Sequence, residues 1–217
     1  MASHAQAQTS DSEEITLDPV CETVDSRNPS LPPGNPAPST RQMAGLLSAY
    51  YDNADPEIAA YMSDRMVTVI ETQITNATEL NQKLRLLFGL GIRQTQAGRP
   101  DKALNTFGAL ERLIAESHAK TDDRTRVELR MRKAIAFLRL GEQENCLAAH
   151  NADSCVLPLR PQAYHLLPHG SRGAIALFDE LLEEFPSDVT TRWLLNLAHM
   201  TLGEYPDKVP HQFLIPR

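Results

Sequence analysis

The sequence predicts an all-α fold built as a stack of helical hairpins, and three observations predict it. Apolar residues recur at helical spacing after about residue 38, with no sustained period-2 alternation. Helix-start and helix-stop residues punctuate that pattern in order. One spacing of small and aromatic residues across a helix pair occurs more than once, which marks a repeat. The 217 residues suffice for one core, and 41% hydrophobic with only 6% aromatic residues suits aliphatic helix packing. A formal charge of −7 argues against nucleic acid or anionic lipid as partner. No stretch is apolar for long enough to span a bilayer.

Residues 1–38 read as a disordered or extended arm. Five prolines fall between Asn28 and Ser39, removing backbone donors and favouring extended chain. Ile15, Leu17 and Val20 are the arm's candidates for docking on the helical body. Ala5-Gln6-Ala7 has the form of a leader cleavage site but no apolar core precedes it, so the stretch is either the start of an exported chain or a plain polar tail. Cys21 has no lipobox before it, which argues against a lipid anchor.

Helices then follow one another. Ser39 or Thr40 caps the first, through Tyr51, with Met43, Leu46, Leu47 and Tyr50 on one face. Asp55-Pro56 opens the second, with Pro at its first position and Ile58, Tyr61, Met62, Met66, Val69 and Ile70 as its apolar set. The third runs from Asn76 or Thr78 to Ala97 and stops at Gly98. The fourth covers Asp101 to about Ser117. Asp122 or Asp123 caps a fifth that ends at Leu140-Gly141, and the last two span about 171–185 and 188–203. The helical domain is thus 39–206, with an irregular insert at about 146–170 and a tail at 207–217.

The repeat is carried by Leu87, Leu90-Gly91, Gln94, Gly98, Ala103, Phe107 and Leu110. That spacing resembles the tetratricopeptide consensus, in which small residues let the two helices of a hairpin approach and aromatic residues fill the groove between hairpins. A second copy starts with Ala134, Phe137 and Leu140-Gly141, and resumes about 28 residues later as Ala174, Phe178, Leu181 and Pro186. A third first-helix follows, from Trp193 to Gly203-Glu-Tyr205. The fold class expected is therefore a tetratricopeptide-like helical-hairpin solenoid with a cysteine-containing insert.

A finer series is Arg139-Leu-Gly-Glu-Gln-Glu-Asn-Cys146, His150-Asn-Ala-Asp-Ser-Cys155, Gly170-Ser-Arg-Gly, Arg192-Trp-Leu-Leu-Asn196 and Met200-Thr-Leu-Gly-Glu-Tyr-Pro206. Over roughly residues 80–216 it resembles the tetratricopeptide region upstream of FG-GAP propellers with an ASPIC/UnbV tail, the cartilage-acidic-protein-like bacterial proteins. The resemblance implies a secreted or periplasmic setting. No propeller, Asp-rich calcium loop or ASPIC/UnbV segment follows Pro216, so a role living in the propeller does not transfer. Service as an accessory subunit to a separately encoded propeller protein is implied instead.

Cys146, His150, Cys155, His165 and His169 form the constellation with most chemical character. A disulfide between Cys146 and Cys155 would close a short loop, for which chain-entropy models give roughly 2–3 kcal/mol. The alternative is a copper or zinc site drawn from the same five residues, although the tight C-x2-C knuckle is missing. A reactive thiol has no visible pKa-lowering neighbour. Ser171 lacks a G-x-S-x-G context and reads as the N-cap of the sixth helix. Asp179, Glu180, Glu183 and Glu184 read as a solvated helix face, and Asn76-Ala-Thr78 as an accidental sequon. No residue is assigned a catalytic role, and no cofactor is expected outside the metal alternative.

The favoured function is protein–protein interaction. By repeat position, the groove candidates are Arg93, Gln94, Arg130, Arg132, Lys133, Asn196 and His199, facing a protein or peptide. The basic run Arg124, Arg126, Arg130, Arg132, Lys133 and Arg139 reads either as an anion-binding groove or as internal salt bridging. Trp193, Leu197 and Met200 form a candidate docking face at the end of the stack, unless Val209–Pro216 folds back to cover it.

Overall fold

The computed structural model describes residues 37–59, 61–149, 151–154 and 156–216. The arm up to residue 36, with its docking cluster and Cys21, lies outside the described residues, as do His150 and Cys155. The described residues form seven α-helices: α1 Pro38–Asn53, α2 Ser63–Asn76, α3 Leu80–Gln96, α4 Pro100–Ser117, α5 Asp123–Ala149, α6 His169–Glu184 and α7 Val189–Thr201. Short 3-10 turns occur at Pro161–Ala163 and His211–Phe213, and the described residues contain no strand.

The reversals are built locally. Gly98 takes φ +70, its N–H bonds the Thr95 carbonyl and the Arg99 N–H bonds that of Gln94. This is the paired closure that satisfies the last carbonyls of a helix. Pro100 then starts α4 where a missing N–H costs nothing. Gly203, φ +67, ends α7 with the same two bonds, from Gly203 to Met200 and from Glu204 to His199.

From α2 onward each helix packs on the next in sequence, and α3 also touches α5. The core is a row of clusters passed along that series. Val67, Ile70 and Leu90 join α2 to α3, and Ala103, Phe107, Leu110, Leu129 and Ala136 join α4 to α5. Ala134, Leu138, Ala174, Phe178, Leu181, Leu195 and Ala198 join α5, α6 and α7, and Phe213 of the tail completes them. Small residues set the approach. A Cβ on Gly91 would lie 2.4 Å from the Phe107 ring, and one on Gly170 would lie 2.3 Å from the Gly141 nitrogen. At that crossing α5 and α6 meet backbone to backbone.

Several boundaries differ from expectation: α1 starts at Pro38, so neither Ser39 nor Thr40 caps it, and α3 starts at Leu80 after Glu79, with Asn76 still inside α2. The turn at Asp55-Pro56 forms, with Ile58 and Ala59 bonded back to the Asp55 carbonyl, but α2 begins only at Ser63. Met62 is drawn fully into the core and takes a non-helical φ, ψ of −91, 45. The fifth helix does not stop at Gly141 and runs on to Ala149. A helix-interior glycine costs only about 1 kcal/mol, and Glu142, Gln143 and Glu144 after it are good helix formers. Cys146 thus lies on the helix, inside the 146–170 expected for the insert, and the described residues between α5 and α6, 151–154 and 156–168, hold one 3-10 turn and no α-helix. Finally α6 starts at His169 after Pro168, so Ser171 is inside the helix and is not its N-cap.

The expected consequence of the α5–α6 crossing is that Gly170→Ala loses about 1–3 kcal/mol, because backbone must shift to admit the methyl group. Gly89→Ala, where a Cβ meets nothing within 4 Å, should gain about 0.5–1 kcal/mol. Urea unfolding followed by far-UV circular dichroism checks both.

Candidate functional site

A cavity of about 570 Å³ lies where α5, α7 and the α3–α4 turn meet the irregular segment. Thr95 comes from the end of α3, Gly98 from the turn and Pro100 from the start of α4, Arg139, Glu142, Gln143 and Cys146 from α5, and Leu197 and Thr201 from α7. Leu157, Leu159, Gln162, Tyr164 and His165 form its outer wall. The wall exists because Asn145, buried on α5, grips its backbone. The Asn145 amide donates to the carbonyls of Gly141 (2.8 Å) and Leu167 (2.9 Å) and accepts from the Leu167 N–H (2.8 Å). The His165 N–H bonds the Thr201 carbonyl at 2.7 Å, which ties the segment to α7 as well. The Tyr164 ring lies against Gly203, where a Cβ would come within 2.4 Å of it.

Behind the wall a chain of polar side chains crosses the core. Ser171, fully buried, sits 2.9 Å from His165 Nδ1 and 2.7 Å from Thr201 Oγ1, which in turn donates to the Ala198 carbonyl at 2.7 Å. Burial holds the His165 imidazole below its ordinary pKa. Arg139 and Glu142 pair with each other at 2.6 Å, so the cavity's charged side chains cancel. A second cluster fastens α6 to the exit of α7. Arg172 forks onto Glu204 at 2.7 and 2.6 Å, and Glu204 lies 3.2 Å from His199 Nδ1. The Arg172 hydrogen bonds hold the Glu204 carboxyl below the usual range. Asp179, expected on a solvated face, has a buried Oδ1, and desolvation raises its pKa.

The groove candidates are dispersed. Gln94 is buried and accepts from Thr106 Oγ1 at 2.7 Å. Asn196 is buried and donates to the carbonyls of Arg192 and Phe213 while accepting the Ile215 N–H. His199 is buried beside Glu204. None of these three lines an open groove, because each closes a hydrogen bond inside the fold. Arg130 pairs with Glu184, Arg132 with Glu128 and Lys133 with Glu111, so these cations are neutralised within the protein. Arg93 reaches Gln96 at 3.3 Å.

The tail does fold back over α7, with Phe213 buried and Tyr205 bonded to the Ile215 carbonyl. Leu197 packs against the core, Met200 is half-buried, and Trp193 stays 51% exposed. Of the metal set, His150 and Cys155 lie outside the described residues. His165 is engaged with Ser171, and His169 stands edge-on to Phe137 at 5.8 Å. Among the described residues no three His, Cys, Asp or Glu side chains converge. The role of Asn145 escaped the sequence, where an asparagine late in a helix carries no signal of a partner 22 residues on. Compared with protein-family models, curated proteins and solved structures, the chain matches none of them.

Burial of His165 has a signed consequence for stability. Its folded pKa lies below the unfolded value of about 6.5, so the unfolded chain binds the proton first and stability falls as pH drops below that value. His165→Asn, which keeps a donor near Nδ1, should lose less melting temperature than the native chain between about pH 7.5 and 5.5. Thermal melts across that range measure the difference.

Proposed function

We propose that the chain is a tetratricopeptide-like scaffold that mediates protein–protein interaction, its partner an FG-GAP/ASPIC-UnbV propeller protein in a secreted or periplasmic setting. The observation that carries the reading is α1. None of its residues is buried, yet Met43, Leu46, Leu47 and Tyr50 form an apolar stripe, each more than half exposed. A contiguous apolar face of this kind on a folded protein marks a contact surface. The helix is held in place at one end: Tyr51 donates to Asp64 at 2.6 Å, and the Arg65 guanidinium lies 5.4 Å from the centre of the Tyr51 ring. The end of the stripe is thereby tied to the start of α2.

The succession of packed helices, with Gly91 under Phe107 and reversals at Gly98 and Gly203, supports the tetratricopeptide-like description. The exposed Trp193 offers a further anchor at the opposite end of the chain.

Co-expression with an FG-GAP/ASPIC-UnbV protein should yield a heteromer that survives gel filtration. Leu46→Ser with Leu47→Ser should weaken it by about tenfold or more, with the melting temperature unchanged. Separate elution of the two chains, or undiminished binding by the variant, counts against the reading.

A disulfide between Cys146 and Cys155 belongs to the same proposal, as a staple for the segment covering the cavity. Cys146 is half-buried, three residues from the end of α5 and in the cavity wall. The intact mass should rise by about 2 Da on reduction, with one cysteine alkylated before it and all three after. Three cysteines alkylated without reduction would remove the staple.

A further inference from the structure

We infer that the cavity between α5, α7 and segment 156–168 is a binding site for an uncharged, partly apolar molecule or side chain that donates a hydrogen bond, with His165 Nε2 as the acceptor.

The inference starts from the polar chain behind the wall, whose hydrogens can be assigned by elimination. A backbone carbonyl only accepts, so the single Thr201 hydroxyl hydrogen is committed to Ala198. Thr201 therefore accepts from Ser171, which commits the Ser171 hydrogen. Ser171 in turn accepts from His165, so the imidazole proton sits on Nδ1. Burial favours the neutral ring, and a neutral ring protonated at Nδ1 carries a bare lone pair on Nε2. Ser171 is outside the cavity lining and His165 is part of it; among the described residues Nε2 has no hydrogen bond within the fold and is not among the buried unpartnered atoms, so it is the open ring nitrogen on a residue of the lining.

The rest of the lining selects the ligand. With Arg139 and Glu142 paired, no uncompensated charge among the described lining residues faces the space, which disfavours an ion. Leu157, Leu159, Leu197 and Pro100 supply apolar wall for a ligand body. About 570 Å³ falls within the ~300–1,000 Å³ range of small-molecule sites. Phenols, alcohols and N–H compounds share the required chemistry, either as free molecules or as a side chain carried by a peptide. This inference does not rest on the scaffold reading, and failure to co-purify a propeller protein leaves it standing.

The test uses the intact chain and two matched pairs: 4-methylphenol against 4-methylanisole, and N-acetyl-tyrosinamide against its O-methyl ether. Nitrogen-15 histidine spectra should show His165 protonated at Nδ1, with Nε2 shifting when 4-methylphenol or the tyrosine amide binds. The member with the donor should bind about tenfold or more tightly than its ether, because the ether leaves the acceptor unpaired. Preference only in the first pair assigns a free small molecule, and preference in the second assigns a peptide-borne side chain. Thr201→Val removes the acceptor that orders Ser171 and should bring the paired affinities closer together. Equal affinity within both pairs, no binding by either donor up to its solubility limit, or a bare Nδ1 in the free protein would each overturn the assignment.

Discussion

The contact between Gly141 and Gly170 is the constraint on which the second half of the molecule depends. Neither residue carries a Cβ, so α5 and α6 cross with backbones in contact, and any side chain on Gly170 would run into Gly141 and the Phe137 carbonyl. The crossing brings the first turn of α6 deep into the core, which is why Ser171 is fully buried. Once there, its hydroxyl needs partners, and Thr201 from α7 and His165 from the irregular segment supply them. One steric allowance between two helices thus determines how a third helix and a loop are oriented.

Two asparagines repeat a second device. Asn145 and Asn196 each donate to the carbonyl four residues back in their own helix and then grip a returning segment through both the nitrogen and the oxygen of the amide. On α5 the segment held is the cavity wall at Leu167. On α7 it is the tail at Phe213 and Ile215. A planar amide offers a donor and an acceptor side by side, so a helix can hold non-helical backbone without a sheet. The tail brings Phe213 into the core cluster of α5, α6 and α7, covering apolar surface that would otherwise face water.

The basic run of α5 and Arg172 are largely paired within the fold. The Arg130, Arg132, Lys133, Arg139 and Arg172 side chains each face a carboxylate. What remains exposed and unusual is apolar: the α1 stripe and Trp193.

The sequence by itself determined the helices, the order in which they follow and the turns between them. Those depend on local chemistry: the apolar period of α3 and α4, the positive φ that Gly98 and Gly203 accept, and Pro100 at a helix start. Gly91 was legible as a close-approach residue for the same reason, since a hairpin partner lies close along the chain, but Phe107 was expected between hairpins and its ring lies on Gly91 within the hairpin. Only the tertiary structure decided that α5 outlasts Gly141, that Ser171 is a core hydroxyl and that Asn196 and His199 face inward. Their partners lie on other elements: Thr201 is 30 residues from Ser171, and Phe213 is 17 from Asn196. A polar side chain on a helix reads alike from sequence whether water or a returning strap satisfies it. The difference is made by where the chain comes back, which is a property of packing rather than of local spacing.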